Sequence, residues 1–93
     1  MTLRVLAFEW NEHNQGHIEN HPAHPIACDQ VEELFLSGRY KVRKTRMERY
    51  IALGQNPDGR YLVVVFENRG GGTIRPISAR RMEDWEKRLF RRK

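Results

Sequence analysis

Arg60-Tyr61-Leu62-Val63-Val64-Val65-Phe66 carries apolar side chains at odd and even positions alike. A strand that alternates apolar and polar has one wet face, so this run predicts a central strand covered on both sides. Immediately before it, Asn56-Pro57-Asp58-Gly59 is a turn signal in which Pro presets φ and Gly accepts a positive φ, so a hairpin is expected. The partner across that turn is Tyr50-Ile51-Ala52-Leu53. From Arg39 to Arg46, Tyr40 and Val42 alternate with Arg39, Lys41 and Arg43, the period-two pattern of a strand with one basic face. Beyond the central run, Gly70-Gly71-Gly72 permits a second reversal into Thr73-Ile74-Arg75-Pro76-Ile77-Ser78-Ala79-Arg80. Pro76 has no N–H, which restricts it to an edge or a bulge.

Helices flank these strands. Leu3, Val5, Ala7, Phe8 and Trp10 predict a first strand, and His13, His17 and His21 then recur every four residues beside Ile18, as on one side of a helix that Pro22 and Pro25 would end. Ile26, Val31, Leu34 and Phe35 predict a second helix from about Ile26 to Ser37, with Gly38 as its stop. Met82, Trp85, Leu89 and Phe90 place an apolar stripe on a closing helix with a basic tail. The expected fold is α+β, order βααββββα. It has a small, mainly antiparallel sheet of about five strands, two N-terminal helices and one C-terminal helix, all in a single domain over residues 1–93.

Charge is distributed unevenly. Residues 1–38 hold one Arg and six acids (1 − 6 = −5), and residues 39–93 hold sixteen Lys or Arg and six acids (16 − 6 = +10). A basic half on a folded domain suits a phosphate backbone, because each neutralised phosphate releases condensed counterions. Cys28 is alone and cannot close an intramolecular disulfide, which points to a reducing compartment. Only four consecutive apolar residues, Val5 to Phe8, precede Glu9, too few for a signal-peptide core or a membrane span, so a cytoplasmic location with no membrane partner is expected.

The sequence has no Walker loop, strand-anchored Gly-x-Gly-x-x-Gly, paired Cys-x-x-Cys or Gly-x-Ser-x-Gly elbow. Arg, Lys, His and Glu remain, and these suffice to cleave RNA without a metal or other cofactor, since the nucleophile is the substrate's own 2′-hydroxyl. DNA lacks that hydroxyl and would be spared. The candidate cations are Lys41, Arg43 and Arg46 on one strand, Arg69 at the end of the central strand, and Arg80 with Arg81 at the end of the last. Arg suits phosphate because its planar fork donates two parallel hydrogen bonds. The candidate proton carriers are His21, His24, Glu48 and Glu86, although a local ion pair for Glu48 and a surface position for Glu86 are their ordinary readings. A zinc site of His13, His17, His21 and Cys28 matches no closed structural spacing. Trp10, Trp85 and Tyr61 could stack on bases, but the two Trp residues sit in apolar periodic segments and are expected in the core.

Taken in order, Phe8-Glu9-Trp10-Asn11, His17-Ile18-Glu19-Asn20-His21, Val31-Glu32-Glu33-Leu34-Phe35, Arg49-Tyr50-Ile51-Ala52-Leu53-Gly54, Gly59 to Phe66, Arg75-Pro76-Ile77-Ser78-Ala79-Arg80 and Glu86-Lys87-Arg88-Leu89-Phe90 resemble the BrnT ribonuclease toxins. The resemblance covers nearly the whole chain. It implies a RelE-like fold and an RNA-cleaving bacterial toxin that inhibits translation. It also implies a cognate antitoxin, of the BrnA-like ribbon-helix-helix type, that restrains the toxin and carries the pair to operator DNA. Three positions depart from the family pattern: extra residues lie within His21-Pro22-Ala23-His24-Pro25-Ile26, Arg81 stands where relatives often carry an acid, and Phe90 replaces a common Tyr. Together the basic half and the resemblance assign Arg69 and Arg80 to the scissile phosphate, His21 or Glu48 to proton transfer, and Lys41 and Arg43, with Arg46 and Arg81, to guiding the RNA. The alternatives are a non-enzymatic module that binds antitoxin or nucleic acid, and a metal-dependent protein built on the histidines.

Overall fold

The computed structural model describes residues 5–20 and 26–92. Along the chain run β1 (Ala7–Phe8), α1 (Glu12–Glu19), α2 (Cys28–Ser37), β2 (Tyr40–Lys44), β3 (Arg49–Gln55), β4 (Tyr61–Gly70), β5 (Thr73–Arg81) and α3 (Asp84–Arg91). The sheet order is β1-β5-β4-β3-β2, with β1 parallel to β5 and every other pair antiparallel. This is the α+β arrangement expected, with five strands and three helices among the described residues. No helix among the described residues is long and apolar enough to cross a membrane.

β4 lies inside the sheet, as its unbroken apolar run requires, and its even positions Leu62, Val64 and Phe66 are fully buried. They meet Val31, Leu34 and Phe35 of α2 and Ile18 of α1 in the main core. Phe35 stands at the centre, with its ring 5.3 Å from Phe66, 5.0 Å from Tyr40 and 5.9 Å from Phe8. Such edge-on and tilted aromatic contacts stabilise beyond plain burial, by about 1 kcal/mol each. α2 ends where Gly38 turns left-handed, at φ 75°. It packs so closely on β3 that a Cβ on Gly54 would lie 2.5 Å from Leu34 Cδ1 and 2.8 Å from the Arg39 carbonyl oxygen.

Two features of β5 set up the site. β1 pairs only as far as Ile74, so Pro76 lies on a stretch of β5 with no strand on that side. Between Val65 and Phe66 the β4–β5 register then slips: Val65 faces Ser78 while Phe66 faces Pro76, leaving Ile77 as an extra residue. Pro76 therefore satisfies both of its allowances, edge and bulge. α1 takes up the vacant edge. Asn11 and Asn14 form a reciprocal cap at its N-terminus. The buried Asn14 amide also donates to the Glu9 carbonyl at 2.9 Å and the Pro76 carbonyl at 3.0 Å.

Some boundaries differ from expectation. The helix read through His21 ends at Glu19, and His21 and His24 lie outside the described residues. β2 stops at Lys44 because Thr45 to Glu48 form the reversal, in which Met47 takes φ 55°. β4 continues to Gly70, since Glu67 and Asn68 still pair with β5 although their side chains are polar.

Candidate functional site

Among the described residues, α1 and α2 pack on one face of the sheet, and α3 crosses the other at one end. Strand alternation and the observed register place side chains of this second face in three rows. The first is Lys41, Leu53, Val63 and Arg80; the second is Arg43, Ile51, Val65 and Ser78; the third is Arg49, Glu67 and Arg75. Strands lie about 4.8 Å apart, so the first row spans about 14 Å from Lys41 to Arg80. Five cations therefore share one face.

At the α3 end, Arg80 is held rigidly. Its Nη1 and Nη2 each donate to a different oxygen of Glu86 at 2.7 Å, and Nη1 also donates to the Arg81 carbonyl at 3.1 Å. Glu86 in turn accepts the Glu83 backbone N–H at 2.8 Å, the capping contact that starts α3. The hydrogen bonds to Arg80 hold the Glu86 carboxyl below its ordinary range against the opposing effect of burial, and the same bonds hold the Arg80 guanidinium above its own. Glu86 is not on the surface as its sequence position suggested. Its side chain is 5% exposed, because the first turn of α3 folds it down onto Arg80, whose side chain is 40% exposed. Trp85 is the converse correction. It is 54% exposed, its indole N–H donating to Glu83 at 2.6 Å, since Glu86 takes the inward position. Trp10 does pack against the core, and its N–H donates to Glu32 at 2.7 Å.

Between α3 and the strands lies a hollow of about 480 Å³ with Ile51 and Leu53 as floor, Trp85 and Leu89 as wall, and Lys41, Arg43 and Arg92 at the lip. Lys41 donates to the Arg92 carbonyl and sits 5.8 Å from the Phe90 ring centroid. Phe90 lies edge-on to Tyr61 at 6.1 Å.

At the opposite end, Glu9 emerges from β1 beside β5, with its carboxylate 3.5 Å from Arg69 Nε and 3.7 Å from Arg75 Nε. There Arg49, Glu67 and Arg75 line a second hollow of about 230 Å³, closed from the sheet edge by His13 and His17 of α1.

The residues assigned from sequence thus divide. Lys41, Arg43 and Arg80 come together on one face. Arg69 is six residues along β4 from Val63, the partner of Arg80, and so about 20 Å from it, because a strand advances about 3.4 Å per residue. Glu48 lies in the β2–β3 reversal, five residues from Leu53 in the Arg80 row and about 17 Å away. Neither can share one phosphate with Arg80. Arg46 is in the same reversal, exposed, and Arg81 points to the face opposite Arg80 by alternation. His21 lies outside the described residues. Cys28 is buried, and burial, followed by a hydrogen bond to Glu19, pushes its thiol up to about 12. No three His, Cys, Asp or Glu side chains come together as a metal site among the described residues.

Sequence reasoning missed Arg49 and Arg75 as members of the cationic face. Arg49 was in reach, since the Pro57–Gly59 turn fixes the hairpin phase. Arg75 was not, because in a regular strand residues 75 and 80 point to opposite sides, and only the bulge at Ile77 brings them to one.

A family model described as ribonuclease toxin, BrnT, of type II toxin-antitoxin system matches residues 10–86. Among solved structures, the chain is similar to the Brucella abortus ribonuclease toxin BrnT, with 25% identity, a TM-score of 0.60, and coverage of 89% of this chain and 100% of that one. No curated protein matches it.

Proposed function

Because this chain belongs to the BrnT family of ribonuclease toxins of type II toxin–antitoxin systems, we propose that it is a metal-independent endoribonuclease that inhibits translation. The observation that carries this reading is the single open sheet face bearing Lys41, Arg43, Arg49, Arg75 and Arg80. A single RNA strand laid along it meets a phosphate-binding cation at each end. The bases can lie over the apolar middle formed by Ile51 and Val65. Lys41 and Arg43 guide the strand. Arg80 holds a phosphate with its remaining donors, Nε and the second Nη2 proton, while Glu86 fixes the plane of the guanidinium. Arg69 and Arg80 serve different phosphates, given their separation. Arg46 and Arg81 lie outside this face and add only to the long-range field that draws RNA in.

In the cut itself the substrate's 2′-oxygen bonds to phosphorus and the bond from phosphorus to the 5′-oxygen breaks. The products are a 2′,3′-cyclic phosphate and a 5′-hydroxyl end. A cognate antitoxin of the ribbon-helix-helix type restrains the toxin, and the pair together represses its operon in the cytoplasm.

Purified protein incubated with single-stranded RNA at low salt in EDTA tests the proposal. Cleavage into those ends supports it, and intact RNA refutes it. A second reading, an inactive module that only docks an antitoxin, is favoured by Phe90, which has no hydroxyl and packs against Tyr61. Expression in bacteria separates the two: growth arrest relieved by the neighbouring gene supports the toxin, and harmless expression supports the module.

A further inference from the structure

With His21 outside the described residues and Glu48 far along the strands from Arg80, the proton transfers need another carrier, and the Arg80 end of the face is poorly equipped for them. Glu86 there is committed to Arg80 and the α3 cap, and among the described residues no histidine lines the adjoining hollow. The α1 end is different. Asn14 and Ile18, both buried, fix how α1 is rotated against β5. His13 and His17 each precede one of those anchors by one residue, so about 100° of helical rotation swings both imidazoles to the same side. Both line the hollow floored by Arg49, Glu67 and Arg75. The bulge at Ile77 makes this geometry, because it turns Arg75 onto the open face beside the helix.

We propose that this hollow is the cleavage centre, with His13 and His17 as its proton-transfer pair and Arg75 and Arg49 as the cations that stabilise the charged phosphorane. One imidazole takes the 2′-hydroxyl proton as the 2′-oxygen bonds to phosphorus. The other, protonated, gives its proton to the departing 5′-oxygen. A histidine can play either part near neutral pH. Among the described residues, the charged groups that line the hollow with the pair are Arg49 from β3, Glu67 from β4 and Arg75 from β5. Glu67 lies directly between the two arginines in register, so it aligns them and can orient an imidazole. Glu9, on the far side of Arg75, holds Arg75 and Arg69 at the rim. Arg80 then anchors a flanking phosphate about four residues' length along the strands, or about 14 Å away.

This inference rests on the ribonuclease reading, and the test keeps the two apart. The parent, His13→Ala, His17→Gln and the double variant are assayed for RNA cleavage from pH 5 to 9, with RNA binding measured on a 2′-deoxy strand and folding checked by circular dichroism. The expected result is a bell-shaped rate profile for the parent. Each single variant should lose one limb and about 100-fold or more in rate, with binding changed less than about threefold. The double variant should lose both limbs. Cleavage by the folded double variant at the parent rate and with the parent profile overturns the inference but leaves the ribonuclease reading standing. A folded parent that binds but never cuts overturns both.

Discussion

The Arg80–Glu86 pair makes a prediction that separates stability from activity. Replacing Glu86 with Ala removes both 2.7 Å charge-assisted hydrogen bonds and the acceptor for the Glu83 N–H. Charge-assisted bonds are worth about 1.5–3 kcal/mol each when sheltered, but Arg80 is 40% exposed, so water recovers much of that. Adding about 1 kcal/mol for the lost cap, the net cost is about 2–3 kcal/mol, or about 10–20 °C in melting temperature for a domain of this size. Arg80→Ala should cost at least as much, because it strands a carboxylate that is 5% exposed. The double variant should then be less destabilised than the sum of the singles, by about 1–2 kcal/mol. Thermal and urea unfolding followed by circular dichroism measure all four proteins. Additivity within about 0.5 kcal/mol, or a Glu86→Ala melt within about 2 °C of the parent, would refute the reasoning. The pH dependence has a fixed sign. Because the folded carboxyl is held below its ordinary value near 4.5, its contribution is fully present above that value and is lost as the pH falls through the lower folded one. Glu86→Gln should remove this acid limb.

Gly54→Ala should destabilise by about 1–3 kcal/mol in the same unfolding assay, because its Cβ would collide with Leu34 and the Arg39 carbonyl. Phe35→Ala, which empties the centre of the aromatic cluster, should cost about 3–5 kcal/mol. Lys41→Ala and Arg43→Ala should each weaken RNA binding and lower the slope of log affinity against log salt by about 0.7 per lost phosphate contact; titrations at several salt concentrations read this directly. Cys28 in the native protein should resist a thiol reagent at pH 8, since burial raises its pKa to about 12, and should label readily only after unfolding in denaturant.

Much of the fold was legible because its signals are local. The two-sided apolar run of β4, the Asn56–Gly59 turn and the three-glycine reversal each dictate backbone geometry within a few residues. In the same way the missing N–H of Pro76 foretold an edge or bulge without knowledge of its neighbours. Side-chain burial in α3 was not legible, because periodicity cannot distinguish an apolar residue from a capping glutamate at the inward position. Trp85 and Glu86 are adjacent, and the pull of Arg80 and the Glu83 N–H on the carboxylate outweighs the burial of the indole.

The site was less legible than the fold for one physical reason: which cations share a face depends on strand phase, and phase is set by a single inserted residue. Counting along β5, the five-residue interval from Arg75 to Arg80 separates them onto opposite faces, and Ile77 restores them to one. Removing that residue offers a decisive perturbation. A chain lacking Ile77 has a four-residue interval from Arg75 to Arg80, so regular pairing keeps Arg75 opposite Glu67 and Arg80 opposite Val63, both still on the open face. The protein should therefore fold without the bulge, keep the Glu9–Arg75 contact and bind RNA within about threefold of the parent, because the bulge serves only to absorb the odd residue. A folded variant without Ile77 that loses RNA binding would show that phase alone does not place Arg75 and Arg80 on one face.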